Sequence, residues 1–436
     1  MMNTADHEGL SANRIKWLKL DNAAKIYPAA ASRNWLAMFR LSATLNEKID
    51  PRCLQEALNI TIKRFPSFAL RLKRGLFWYY LEPIKTMPLI GEDAGNPCIN
   101  MRMENHRGYM FRVRYYENRI AVEIFHALTD GTGGLSFLET LTAQYLRVRH
   151  GVKIPAGGLI LDADEEPKPE EWEDCFVKYA RNASIGRSQP AAYHIKGTPE
   201  PKDFVNIITA SIPVDQIKTI SKKYNVSITE FIVANQLFAL QRMQKEEIRA
   251  SRRAMLLKVS VPVNLRQFYN AKTVRNFSSY VNPDIDPKYG EFTFEEICSR
   301  VKHFMGLEVT EKRMNARMSA NVMTENNAII RGAPLIIKNP AMKFFYYLQG
   351  DRCNSMNLSN LGIASLPEEM DKYVQRIDFI IGPLSYNPIT TSCISHKGIL
   401  YLTFTSKIKE ATIQRYILTQ MVKMGIHVKV ESNQME

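Results

Sequence analysis

One histidine stands out for its surroundings. The run Ile124-Phe125-His126-Ala127-Leu128-Thr129-Asp130-Gly131 puts a histidine at the end of a period-two apolar segment, an aspartate four residues on, and a glycine directly after it. With 8 His and 21 Gly in 436 residues, chance supplies only about 0.01 matches to His-x-x-x-Asp-Gly. An imidazole titrates near neutrality and can accept a proton at pH 7, so the pattern suits a general base. Asp130, one tight turn later, can hold that turn or pair with a cation. Gly131 lets the chain bend where a side chain would clash. The competing reading is a core histidine followed by an ordinary Asp-Gly turn. Spacing, strand context and glycine together favour the chemical one. Gly131-Thr132-Gly133-Gly134 begins like a dinucleotide-binding loop, but Ser136 stands where the last glycine belongs. No His-x-x-x-His, His-Glu-x-x-His or close cysteine pair appears, so no metal site is expected.

The elements that must hold this histidine alternate in type. Leu36–Leu45 reads as a strand. Asp50-Pro51 supplies an N-cap and first-turn proline for a helix with Leu54, Ala57, Leu58, Ile62 and Phe65 on one face, ended by Pro66. Phe77–Leu81, Tyr109–Tyr116 and Arg119–Phe125 read as strands. Leu135, Leu138, Leu141, Thr142 and Tyr145 mark a helix face after the motif. Ser227-Ile228-Thr229-Glu230 is a capping box opening a helix to about Met243. Leu256–Val263 is a strand, 294–316 is mostly helical, Arg376–Ile381 and Ile399–Phe404 are β-rich, and Thr412–Met424 is a final helix stopped by Gly425. The class is α/β (α+β).

Length gives two domains of roughly 200 residues each as the prior. The chain is 45% hydrophobic and 10% aromatic, which excludes disorder as the main state. Residues 162–174 hold eight acidic side chains, one lysine and two prolines and read as a solvated linker or surface excursion. The division is therefore 1–160, a linker region 161–200, and 201–436. Formal net charge is +14, and both large segments are basic. That charge admits a nucleic acid, an anionic membrane surface, or an anionic small molecule or acidic partner. Nucleic-acid motifs are missing. No apolar window is long enough to span a bilayer, and the polar N-terminus lacks a signal pattern, so a cytoplasmic protein is expected. Six scattered cysteines, Cys53, Cys98, Cys175, Cys298, Cys353 and Cys393, fit reduced thiols in that compartment. The aromatic runs at 77–80 and 344–347 fit core packing better than a pocket lining. His396 reads as a surface or tunnel residue.

The His126-x-x-x-Asp130-Gly131 motif resembles the active-site signature of the CoA-dependent acyltransferase superfamily. That group includes chloramphenicol acetyltransferase, alcohol O-acetyltransferases, wax ester synthases and peptide-synthetase condensation domains. Other segments agree in order along the chain: Leu20-Asp21-Asn22-Ala23-Ala24-Lys25-Ile26-Tyr27-Pro28, Arg64-Phe65-Pro66-Ser67-Phe68, Val261-Pro262-Val263-Asn264-Leu265-Arg266 with Asn276-Phe277, and Ser359-Asn360-Leu361-Gly362. The His motif is fairly specific; the others are weak singly. The resemblance implies two similar lobes, each a mixed sheet with packed helices, and an active-site tunnel between them. It implies His126 as general base, Asp130 as a structural residue, and Arg266 of the other lobe as its partner. Ser359 and Asn360 lead as substrate or oxyanion donors, with Thr390, Thr391 and Ser392 as alternatives. Many members carry two consecutive histidines; here the first is Phe125, and the second is the base.

The function implied is acyl transfer from acyl-CoA, acetyl-CoA foremost, to an alcohol hydroxyl, without an acyl-enzyme. CoA would be a co-substrate and no cofactor would be permanently bound. The alternatives are transfer from a carrier-protein thioester to an alcohol or amine, and an inactive relative that binds a ligand or partner. The basic charge then fits CoA phosphates or an acidic carrier protein.

Overall fold

The computed structural model describes residues 16–31, 36–182, 189–247, 254–384 and 387–434; the N-terminal reading above lies outside them. Alternating apolar side chains build two five-stranded mixed sheets. The first runs Val374–Ile381, Met38–Leu45, Arg119–Phe125, Phe111–Tyr116, Ile90–Glu92. Its central members pair antiparallel, Leu41 opposite Val122 and Val113 opposite Val122 on the other side. The second runs Ser359–Ile363, Ile389–His396, Ile399–Ser406, Asn206–Pro213, Lys429–Ser432. A four-stranded sheet around Leu257–Asn264 and a three-stranded one around Tyr79–Pro83 complete the β-structure. Each five-stranded sheet has its own apolar core, one packed by the helices Pro51–Arg64 and Gly131–His150, the other by Ile228–Glu247 and Thr412–Lys423.

Local chemistry sets the helix starts. Asp50 accepts from the Arg52 and Cys53 amides with Pro51 in the first turn. The Ser227–Glu230 capping box closes with both reciprocal bonds, 2.7 and 3.3 Å. Gly425, at φ 88°, ends the last helix. The 294–316 run divides into Phe294–Glu308 and Glu311–Asn326, because Thr310 caps a second helix through the Arg313 amide. All six cysteines are free.

The first sheet is crossed by the chain's second half. Val374–Ile381 lies antiparallel along Met38–Leu45, with Ser42 opposite Asp378. The Thr390 and Ser392 hydroxyls donate to the Ile381 and Phe379 carbonyls at 3.0 and 2.6 Å, which ties this strand to the second sheet.

Three expectations are corrected in part. The acidic segment is not solvated throughout: Glu171 and Trp172 are buried. Glu171 forms a two-oxygen pair with buried Arg64, and the Trp172 carbonyl accepts from Arg275. Its charge is neutralised locally, which lets it leave water. Of the two places expected for His396, the surface is excluded: the side chain is buried, facing the Ala364 and Val374 carbonyls. The aromatic runs are not core throughout: Phe77, Trp78, Phe344 and Phe345 are all exposed, while Tyr79 packs against the first core. Gly75–Trp78 forms a hairpin turn, so the strand begins only at Tyr79.

Candidate active site

The motif sits where the His-bearing strand turns into a helix. Phe125 ends the strand; the His126 amide bonds to Ala37 O at 2.8 Å, so the histidine backbone is held by the neighbouring strand. The turn closes through Leu128 N to Phe125 O at 2.9 Å, and Asp130 caps Gly131–His150 by accepting from Gly133 N at 3.1 Å. This is an Asp N-cap at a positive helix end. Gly133 has a specific steric reason: a Cβ there would collide with Val274 O and Thr129 Oγ1.

Asp130 also reaches across to the second half of the chain. Arg266 Nη1 donates to Oδ2 at 2.8 Å and Nη2 to Oδ1 at 3.1 Å, a fork-on-fork pair. Phe277 N adds a bond to Oδ2 at 2.8 Å. With Gly133 N, the carboxylate's four acceptor positions are filled. Arg266 is as fully used: Nε donates to Thr273 O, Nη2 also to Arg275 O, and Nη1 also to Asn264 Oδ1. Burial alone would push the Asp130 carboxyl up; the Arg266 charge and the four donors outweigh it and hold it below the usual carboxylate range.

The loop that Arg266 braces carries Asn276, whose Oδ1 lies 3.1 Å from His126 Nδ1. Asn276 Nδ2 points to Asp21 Oδ2 at 3.4 Å. Asp21, fully buried, also accepts from Ala24 N at 2.7 Å and faces Arg275 Nε at 3.5 Å. Burial raises the Asp21 carboxyl to about 6 against the pull of Arg275. With the Asn276 amide fixed by this acidic neighbour, its oxygen faces the imidazole. Nδ1 then carries the proton and Nε2 keeps its lone pair. Burial pushes the imidazole pKa down, against smaller upward effects from its own backbone, Asp130 and Asn276. His126 is therefore neutral at pH 7, the form that can accept a proton. The Tyr27 ring stacks on it, centroids 4.5 Å apart and planes 19° apart.

His126, Asp130 and Arg266 thus meet, with Gly131 at the helix start. Ser359 and Asn360 come close by another route: a Cβ on Gly131 would lie 2.7 Å from Leu361 Cδ2, so their strand abuts the motif. Asn360 itself is committed, donating to Thr229 Oγ1 at 2.9 Å and accepting from Gly362 N at 2.8 Å. Thr390 and Ser392 spend their hydroxyls on strand carbonyls. Sequence reading assigned no role to Asn276, Asp21 or Tyr27. All three lie in the segments that carried the resemblance, but no spacing links positions so far apart in the chain. Among the described residues, no group of three or more His, Cys, Asp and Glu could hold a metal ion, and no helix is long and apolar enough to cross a membrane.

Solved structures match this architecture over nearly its whole length. TRI101 of Fusarium sporotrichioides, complexed with coenzyme A and T-2, superimposes at TM-score 0.64 with 12% identity, covering 95% of this chain and 99% of that one. The chain shares this fold. Polyketide synthase associated protein 5 from Mycobacterium tuberculosis matches at TM-score 0.60 and 14% identity, covering 92% and 96%. The first condensation domain of the calcium-dependent antibiotic synthetase, with a substrate analogue, matches at 0.59 and 14%, covering 94% and 95%. No protein-family model and no curated sequence matches the chain.

Proposed function

We propose that the protein transfers an acyl group from an acyl-CoA thioester to an alcohol hydroxyl, with His126 as general base. The observation that carries this is the His126–Asn276 contact, which leaves Nε2 of a neutral imidazole as the available acceptor. The superfamily fold, and the bound coenzyme A of the TRI101 complex, supply the donor class. Nε2 takes the hydroxyl proton as the alcohol oxygen attacks the thioester carbonyl. The tetrahedral oxyanion collapses by breaking the C–S bond, and the imidazolium returns its proton to the leaving thiolate. Asp130 and Arg266 act by positioning the turn and the Asn276 loop, not by moving protons. The compartment proposed is the cytoplasm, and the division proposed is 1–160 and 201–436 about the 161–200 connection.

Likeness to a condensation domain supports a second donor, a carrier-protein thioester, with an alcohol or amine acceptor. Both readings predict acceptor-dependent thiol release. Purified protein with acetyl-CoA and a panel of alcohols and amines should release CoA thiol. His126→Ala should cut that rate by roughly 10²–10⁴-fold. A variant that retains the wild-type rate removes His126 as the base. Silence of the wild type with every CoA and carrier donor leaves the ligand-binding alternative in its place.

A further inference from the structure

The exposed aromatic runs belong to one face. Leu335 N bonds to Leu76 O at 2.8 Å, Lys338 Nζ to Phe77 O at 3.0 Å, and Asn339 Nδ2 to Tyr79 Oη at 2.7 Å. The Lys338 ammonium also lies 3.6 Å from the Trp78 ring centroid. These contacts lock the tip of the Leu70–Pro83 hairpin onto the first half of the helix Leu335–Gln349. Away from that seam the helix turns large apolar groups outward. Ile337 and Phe344, seven residues apart, share one side and are 64% and 59% exposed. Ile336 and Phe345 flank them at 72% and 57%, and Leu76, Phe77 and Trp78 extend the face at the hairpin tip. Soluble proteins seldom leave so much contiguous apolar surface uncovered.

Charge identifies what could cover it. Residues 70–85 and 328–349 carry seven basic side chains and one acidic, Glu82. That carboxylate is already held by Arg71 and Lys73. Arg74, Lys85, Arg331 and Lys343 are exposed. Bulky aliphatic and aromatic groups, on segments whose exposed charges are Lys and Arg with no free acid among them, are complementary to the headgroup–acyl boundary of an anionic bilayer. An acidic protein partner would be met by free charge within the face, whereas here Lys338, the cation between hairpin and helix, is spent on the Phe77 and Arg331 carbonyls and the exposed side chains around it are large and apolar. We propose that the face formed by the Leu335–Gln349 helix and the Gly75–Trp78 hairpin tip docks the protein onto an anionic lipid surface. It goes beyond the acyl-transfer reading and does not rest on it.

The test is co-sedimentation of the full chain with vesicles of phosphatidylcholine alone or with about 30% phosphatidylglycerol. The wild type should pellet with the anionic vesicles, and high salt should weaken the association. Phe344→Ser with Phe345→Ser should weaken partition by about tenfold or more. Arg331→Glu and Lys343→Glu should each weaken it by roughly fivefold, and only with anionic vesicles. These side chains are exposed, and matching thermal melts would exclude misfolding. The proposal is overturned if the wild type ignores both vesicle types. Equal pelleting of the Phe double variant overturns it too. So does a face that, without binding vesicles, makes a homodimer that the Phe variant dissociates, or captures an acidic carrier protein. The readout is partition rather than turnover, so its failure leaves the acyltransferase reading standing, and the reverse also holds.

Discussion

Arg266→Ala is the sharpest test of how the motif is held. The substitution removes both arms of the fork on Asp130 and the bonds to Thr273 O and Arg275 O. Both partners lie deep, with side chains 12% and 5% exposed, so solvent screens the pair weakly. Breaking a buried pair by removing one partner costs about 3–5 kcal/mol. Asp130 would keep the Gly133 and Phe277 amides, which places the expectation at the lower end, about 3 kcal/mol. At about 2.1 cal/mol/K per residue, a chain of 436 residues loses about 1 °C per kcal/mol, so Tm should fall by about 3 °C at neutral pH. The sign with pH is also fixed. The folded Asp130 carboxyl titrates below its ordinary value, so its stabilisation is complete above the unfolded pKa and is lost as pH falls through the folded one. The gap between wild type and variant, followed by circular dichroism melts, should hold through neutral pH and close below about pH 4. Arg266→Lys should recover less than half of the loss, because a point charge cannot bridge two oxygens and two carbonyls. A Tm change under about 1 °C, or a gap that widens on acidification, would refute this account of the pair.

Gly133→Ala should be worse than its one methyl suggests. The added Cβ would lie 2.9 Å from Val274 C and overlap both Val274 O and Thr129 Oγ1. A loss of roughly 3 kcal/mol or more, seen as a lowered denaturation midpoint, is expected; an unchanged midpoint would show that the cross-chain approach at the motif is looser. At Asn276 the pH–rate profile is the informative readout. The side-chain bond raises the His126 pKa, so Asn276→Ala should shift the acid limb of kcat/KM down and lower the plateau by about tenfold or more. Asn276→Asp should shift the limb up, because a carboxylate favours imidazolium. Superimposable profiles for all three proteins would remove Asn276 as a positioning residue.

Periodicity and caps made most of the secondary structure legible. Arg119–Phe125 is bounded as its alternation indicates, and Asp50-Pro51 opens its helix. The His126 motif was visible because strand, turn and cap are contiguous in sequence. The Arg266 partner came from resemblance, and the structure places it on Asp130. Asn276 and Asp21 were not legible as partners: the contact of Asn276 with the imidazole, and of Asp21 with Asn276, arises only when the 266–277 loop and the N-terminal segment converge. Composition also misplaced the aromatic runs. Apolar content alone cannot tell a core strand from a helix whose apolar side remains uncovered, and Phe344 and Phe345 are the second kind.

The strand Val374–Ile381 has a consequence for how this chain comes into being on the ribosome. Its partner, Met38–Leu45, emerges early, yet its outer hydrogen-bonding edge is satisfied only when residue 381 has appeared. The sheet exists once Arg119–Phe125 has paired with Met38–Leu45, and at about 5–20 residues per second the roughly 250 residues from there to Val374 take roughly 12–50 s. Throughout that interval the nascent first half presents an open sheet edge lined by Phe39, Leu41 and Ala43, a template for wrong pairing. A fragment ending before Val374 would keep that edge indefinitely. The His-bearing half is thus unsuited to independent expression, and the finished protein depends on a late segment closing an early wound in its sheet.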